Sequence, residues 1–355
     1  MFSSFNTFGR LGAAAAGAKS LAQQIAAMAP SLWLEPSLTN YQDSAGTTLV
    51  TQPGGGSADP PVGKALDLSG LGNHAIQSTS TARPVLSARA NLVTYTEDFI
   101  NSLWQKNSVA VSSNSIAAPD GTTNADKLYP SSTGTNKFIY QIFNTSAGIY
   151  SWSVFAKAGE KSILYIDFTG DGLYRTYFNL SSGTVGDVAS GYSASIISVG
   201  DGWYRCSGKN NTASSYSFSG VYGVADQNGS ASVVANGTDG IYIWGAQLQL
   251  SSTATAYQRV TDASNYAYTG WPLIYQFDGV DDVLNVTFPS SLGSDCTVVT
   301  ANRGTTPTIL TGQTIGTSYT ITATNAGRLV FPRALTAAET AIVTTWATQK
   351  GALPA

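Results

Sequence analysis

Tyr150-Ser151-Trp152-Ser153-Val154-Phe155-Ala156-Lys157 places Tyr150, Trp152, Val154 and Ala156 on one side of an extended chain and mostly polar residues on the other. That period of two marks a strand with one face buried. Similar runs occur at Phe138 to Phe143, Ser162 to Phe168, Tyr174 to Leu180, Ile196 to Val199, Trp203 to Ser207, Ser215 to Val224 and Gly240 to Leu250. Turn signals such as Gly170-Asp171-Gly172 and Asn228-Gly229 separate them. Eight or so short strands within about 170 residues specify an antiparallel β-sandwich or jelly roll rather than a parallel sheet. No fixed-period repeat of the kind a solenoid needs is present.

Outward from this block the pattern changes. Leu11, Ala14, Ala18, Leu21, Ile25 and Met28 step by 3, 4, 3, 4 and 3 residues, a heptad seam that predicts a helix from Arg10 to Met28, stopped by Pro30. Residues 1–30 therefore read as a docking or oligomerisation helix. A helix packed on its own domain and a secretory signal are the alternatives, the latter opposed by Lys19, Gln23 and Gln24. Residues 31–90 are short apolar pieces cut by turns, including the Gly/Pro-rich run Pro53 to Gly63. Residues 261–355 open with a loop and a strand at Tyr275 to Val286. They end in a helix from Thr336 to Lys350, with Thr336 and Glu339 as its capping box and Gly351 as its stop. The expected fold is thus mainly β, with an N-terminal helix and a short C-terminal one.

Composition removes several functions. Only 11% of residues are charged, and no run approaches the roughly 18 to 20 apolar residues of a spanning helix, so membrane insertion is not expected. A net charge of -3 without a Lys/Arg cluster argues against nucleic acid as a partner. With one histidine, His74, in a turn-rich loop, and two cysteines, Cys206 and Cys296, ninety residues apart, metal clusters and most hydrolase templates fail. Both cysteines are expected as buried free thiols. The protein is not expected to be an enzyme.

Two groups of residues resemble known families. Asn91-Leu92, Thr96-Glu97-Asp98-Phe99, Trp104, Pro119-Asp120-Gly121-Thr122, Ala125-Asp126-Lys127-Leu128, Gly200-Asp201-Gly202-Trp203-Tyr204-Arg205-Cys206 and Ile243-Trp244-Gly245-Ala246-Gln247-Leu248 lie in the order of the carbohydrate-binding-module-like jelly roll of tailed-phage virion proteins. This resemblance covers residues 91–260. It implies a module of tail fibres, tail spikes and head spikes that contacts glycans or spaces subunits. The flanks are similar to laminin-G-like (concanavalin-type) lectin domains, through Leu32-Trp33-Leu34-Glu35-Pro36, Asp67-Leu68-Ser69-Gly70, Arg83-Pro84-Val85-Leu86, Phe277-Asp278-Gly279-Val280-Asp281-Asp282 and Gly327-Arg328-Leu329-Val330-Phe331. The jelly roll thus reads as inserted between residues 31–90 and 261–355. About 42 residues separate Leu284 from Gly327, short for the middle strands of such a lectin.

Sugar sites on sandwiches combine exposed rings with amide, carboxylate and guanidinium partners for hydroxyls. Trp152, Trp203 and Trp244 lie in strand patterns that fill an interior. Rings beside turns are better candidates: Tyr174 with Arg175, Tyr192, and Tyr222 ahead of Asn228. Asp278, Asp281 and Asp282 form the densest acidic cluster, suited either to a structural Ca²⁺ or to a solvated turn. Pairs for a glycan-cleaving site, Asp167 with Asp171 or Glu160 with Asp187, are arithmetic candidates only. The expected protein is a virion part that attaches to host surface polysaccharide. It would be assembled with other virion proteins through the N-terminal helix and repeated as a homo-oligomer, trimer or pentamer. A non-binding decoration or tail subunit is the alternative, and a polysaccharide-degrading spike the third.

Overall fold

The computed structural model describes residues 19–142, 147–167, 174–212 and 219–354. The fold is mainly β, with antiparallel sheets and a helix towards each end. Strand pairing sorts the described chain into two groups. Strands between Gln105 and Leu250 pair with one another, whereas those from Leu32 to Ser87 pair with those from Ile274 to Phe331. One sandwich is therefore spliced into the sequence of another.

In the inserted sandwich the first sheet runs, in spatial order, Tyr192–Gly200, Trp203–Asn210, Tyr150–Ala158, Ile241–Leu250, Ala125–Pro130 and Val109–Ile116. The second runs Thr184–Val185, Arg175–Asn179, Ile163–Asp167, Ser219–Ala225, Phe138–Gln141 and Gln105–Asn107. Trp152, Val154 and Ala156 of the first face Leu164, Ile166, Phe178, Tyr222 and Val224 of the second, all fully buried. The strand Tyr150–Ala158 thus forms with its apolar alternation turned inward, but it is not half-buried as expected, since Ser151, Ser153 and Phe155 on its other face are covered as well.

A bulge then changes the alternation. Ser153 pairs with Gln247 and Phe155 with Trp244, so Val154 alone stands opposite Gly245 and Ala246. Gly245 sits at φ 65°, and a Cβ there would stand 3.0 Å from the Phe155 ring. Ile241 and Ile243 face inward before the bulge, and Ala246 and Leu248 after it. Trp203 and Trp244 are buried as expected, but not between the sheets. They lie on the outer face with Phe155, beneath Ala118 and Ala125, and the Trp203 Nε1 donates to the Ala117 carbonyl at 3.1 Å.

The flanking sandwich pairs two four-stranded sheets. One is ordered Leu32–Leu34, Gly327–Phe331, Gly293–Ala301, Thr308–Ile315; the other Lys64–Ala65, Ala75–Ile76, Leu284–Thr287, Ser318–Ile321. Leu34, Val298 and Val330 face Leu284, Val286 and Ile321 between the sheets, while Trp33, Val299, Leu329 and Phe331 face the two helices. The expected strand Tyr275 to Val286 is in fact two, Ile274–Gln276 and Leu284–Thr287, parted by the Asp278 to Asp282 turn.

The C-terminal helix, Ala337–Gly351, carries the predicted Thr336/Glu339 capping box. Gly351 is its last residue rather than a stop beyond it. It has no side chain because a Cβ would stand 2.0 Å from the Asn302 carbonyl oxygen. The N-terminal helix departs further from expectation: it is Leu21–Ala27, not Arg10 to Met28 through residue 19. Ser20 caps the Gln23 N–H and the Gln23 side chain caps Ser20, a box that starts the helix there. Its Ile25 and Met28 pack with Val343 and Trp346 of the C-terminal helix and with Leu329. This half of the heptad seam covers its own sandwich; residues 1–18, with Leu11, Ala14 and Ala18, lie outside the described residues. Glu35 ties the C-terminal helix to the sheet, accepting from Trp33 Nε1, Trp346 Nε1 and Lys350 Nζ. Cys206 and Cys296 are free and buried.

A clasp of two side-chain amides joins the sandwiches where the insert begins and ends. Asn91, where the insert begins, donates from Nδ2 to the carbonyls of Ala246 and Gln258, and its Oδ1 accepts from the N–H of Val93 and Leu248. Gln258, where it ends, accepts from the N–H of Ala90 and Asn91 and donates to the carbonyls of Ala88 and Ala267. Both residues are fully buried. Removing either strands backbone groups away from water, at roughly 1–3 kcal/mol for each unsatisfied group. Asn91→Ala should therefore lower the urea-unfolding free energy by about 3 kcal/mol or more. A loss under about 1 kcal/mol would show that water replaces the clasp.

Candidate functional site

The residues singled out from sequence separate once placed. Tyr174 and Tyr192 do come together, with ring centroids 5.4 Å apart where one strand of each sheet begins, and Tyr174 is 37% exposed. Arg175 beside them points elsewhere: its Nε donates to the buried Asp167 at 3.1 Å and its Nη2 to Asn136 Oδ1 at 2.8 Å. Asn228 clasps a neighbouring turn, accepting from the Asp187 N–H and donating to Asp187 Oδ1, each at 2.7 Å. Tyr222 is a correction. It has no exposed surface and donates to the Ser153 carbonyl, because alternation along Ser219–Ala225 turns it inward against Trp104.

The carboxylate candidates separate in the same way. Asp171 lies outside the described residues, Glu160 is paired with Lys127 at 2.7 Å, and Asp187 is held by Asn228. Asp278, Asp281 and Asp282 offer oxygens within 4.8 Å of one another. Asp278 Oδ1 already accepts the N–H groups of Val280, Asp281 and Asp282, and Asp282 accepts that of Asp278. These bonds hold the Asp278 carboxyl below its usual range. Three side chains on one exposed turn fall short of the six to eight oxygens Ca²⁺ takes, so they do not fit a structural calcium unaided. His74 Nδ1 accepts from the Asp67 N–H at 3.0 Å, a loop bond that needs the ring neutral on that nitrogen; burial depresses its pKa.

The polar cleft that these readings passed over has about 440 Å³ and is lined by three separate stretches. Tyr95 to Asp98 supply one wall, Asn114 and Asn124 a second, and Arg259 to Asn265 the third. Glu97 is fixed in it: Tyr257 Oη and Asn124 Nδ2 each donate to its carboxylate at 3.0 Å, and Arg259 forms an ion pair with it, Nε to Oε2 3.1 Å. Burial nonetheless raises its pKa, the partners opposing that shift. Two of its lining residues, Tyr95 at φ 50° and Asn114 at φ 51°, are left-handed without being glycine. For a bulky tyrosine that costs about 1–2 kcal/mol, a strain the surroundings must hold in place. The Tyr95 carbonyl is held by Trp104 Nε1 at 2.9 Å, and Asn114 by its N–H to Asp126 Oδ1, also at 2.9 Å.

No family model matches the chain. A comparison with curated proteins likewise gives no match. The cleft must therefore be read on its chemistry. It joins a fixed carboxylate, three asparagines and an arginine beside the partly buried Tyr95, a donor and acceptor set that suits vicinal hydroxyls. A second hollow, about 250 Å³, crosses the outer face of the first sheet at Ser193, Ser195, Ser207 and Lys209, but no ring lines it among the described residues.

Beneath the cleft Asp126 accepts from Phe99 and Asn114, and burial pushes its carboxyl up to about 6. A raised folded-state pKa means the native state binds this proton more tightly than the unfolded chain does. Asp126 thus costs stability at neutral pH, and acidification from about pH 6 to about pH 4 regains it. Carboxyl-carbon NMR should show one aspartate with its midpoint near 6. If every aspartate titrates below 4.5, the buried environment described for Asp126 is wrong.

Proposed function

We propose that the protein is an exposed part of a tailed-phage or phage-like particle, a fibre or spike without enzymatic activity, that attaches the particle to host surface polysaccharide. The observation that carries this reading is the cleft around Glu97. Its partners hold the carboxylate in one orientation before any ligand arrives, so little side-chain freedom is lost on binding. The Asn124 and Arg259 side chains stand beside it to complete contacts to hydroxyls, and Tyr95, packed against the core between the sheets, lines the same cleft. The resemblance of residues 91–260 to a virion jelly roll supports the same conclusion from the sequence side. Weak single sites of this kind become useful when copies act together. A homo-oligomer would gain roughly 10² to 10⁴ in avidity.

The test is retention of the full chain on immobilised capsule and lipopolysaccharide from candidate hosts, with size in solution measured alongside. Glu97→Gln and Tyr95→Ala, checked for an unchanged melting temperature, should each weaken retention at least about tenfold, the loss of one or more charge-assisted or ring contacts. Retention unaffected by both variants would move the sugar away from this cleft. A discrete oligomer that retains no host glycan would make the protein a decoration or tail subunit instead.

A further inference from the structure

Two arginines in the flanking sandwich hold guanidinium nitrogens that nothing in the described structure satisfies. Arg328, on the strand Gly327–Phe331, is 8% exposed and faces the space between the two sheets. Its Nη1 donates to Tyr319 Oη at 2.8 Å; its Nε is buried without a partner, and no carboxylate pairs with it among the described residues. Arg303 has a buried Nη1 in the same condition. Asp59 and Tyr266 act on it electrostatically without forming an ion pair, and burial pushes its pKa down to about 10. An unsatisfied buried cation is among the costliest groups a fold can keep, so its persistence calls for a partner.

Both arginines line hollows, and the hollows adjoin. The Arg328 cleft has about 360 Å³ and is lined with Thr300, Thr308, Gln313 and Thr314. The Arg303 cleft has about 310 Å³ and reaches Tyr150 and Gln249 of the inserted sandwich. Asn302 and Thr324 line both. The first is open because Thr308–Ile315 and Ser318–Ile321 are the edge strands of their sheets, with no further strand closing the gap among the described residues. The Arg303 loop is held from behind, where the Gly304 N–H donates to the Gly351 carbonyl at 2.9 Å. Both volumes fall within the roughly 300–1,000 Å³ of ordinary ligand sites.

We infer that this double groove binds acidic saccharide, with Arg328 and Arg303 each receiving the carboxylate of a sugar-acid residue. The guanidinium fork matches a carboxylate, and the threonine hydroxyls with Asn302 and Gln313 match the ring hydroxyls beside it. A bare anion would need the arginines but not that polar lining. The inference is separate from the Glu97 cleft: a chain that fails to retain neutral glycan can still pass the following test, and then only the Glu97 reading falls.

The experiment is calorimetric titration of the full chain with tri-galacturonate, with its fully methyl-esterified form, and with sodium sulfate and sodium acetate. The acid form should bind, and the neutral ester should bind at least about tenfold more weakly. Arg328→Met and Arg303→Met should each cut affinity for the acid at least about tenfold, since a fork to carboxylate is lost. Arg328→Met should also raise the melting temperature of the ligand-free protein, because an unpaired buried charge is replaced by an apolar side chain. Equal binding of acid and ester, affinity for tri-galacturonate no tighter than for sulfate or acetate, no binding up to millimolar concentration, or unchanged affinity in both variants would each overturn the inference.

Discussion

Two buried side-chain amides hold this architecture together. A sandwich spliced into another must enter and leave at one place, and there the chain crosses itself without a regular ladder to satisfy its backbone. Asn91 and Gln258 meet that need by bonding to each other's segments and to the strand Ile241–Leu250. The geometry of that strand is in turn set by the bulge at Gly245, which places Gln247 so that its Oε1 accepts the Gln258 N–H at 2.8 Å. An amide gives two N–H donors and a carbonyl acceptor without charge, so it can close such a crossing where no water reaches.

The same bulge shapes the surface. Beside it on the outer face Trp244 packs on Phe155 and Tyr257, with ring centroids 5.3 and 4.9 Å away, and Gly245 leaves room for those two rings, from which a Cβ would stand 3.0 and 3.4 Å. Tyr257, packed there, is the residue whose hydroxyl steadies Glu97. A backbone irregularity thereby fixes a carboxylate one layer away. The cleft is supported from two sides: by the outer-face cluster through Tyr257, and by the core between the sheets through Trp104, which holds the Tyr95 carbonyl.

Local patterns in the sequence were legible where a single periodicity decides the outcome. Tyr150 to Lys157 and the Thr336/Glu339 cap formed as their spacing requires. Position relative to a turn was a poor guide, because Tyr222 obeys its strand's alternation rather than its neighbourhood. The heptad seam misled for a related reason: Ser20 and Gln23 cap each other and interrupt it, a signal visible in the sequence but outweighed there by the longer pattern. The Glu97 cleft was unreadable in principle, since its walls come from residues 95–98, 114–124 and 259–265. In the sequence Glu97 and Asp98 serve only as marks of fold. The strain at Tyr95 has no signature in composition at all.

Entry and exit at one point also decides how the molecule bears load. A domain strung in series hangs by a single strand of chain, whereas this insert is held by two, running side by side through Asn91 and Gln258. Tension on anything gripped by the inserted sandwich divides between the two strands. It reaches the flanking sandwich at residues 88–91 and 258–267 together, where Gln258 Nε2 bridges the carbonyls of Ala88 and Ala267. A pull that parts the two bodies at this point therefore loads the amide bonds of Asn91 and Gln258 together.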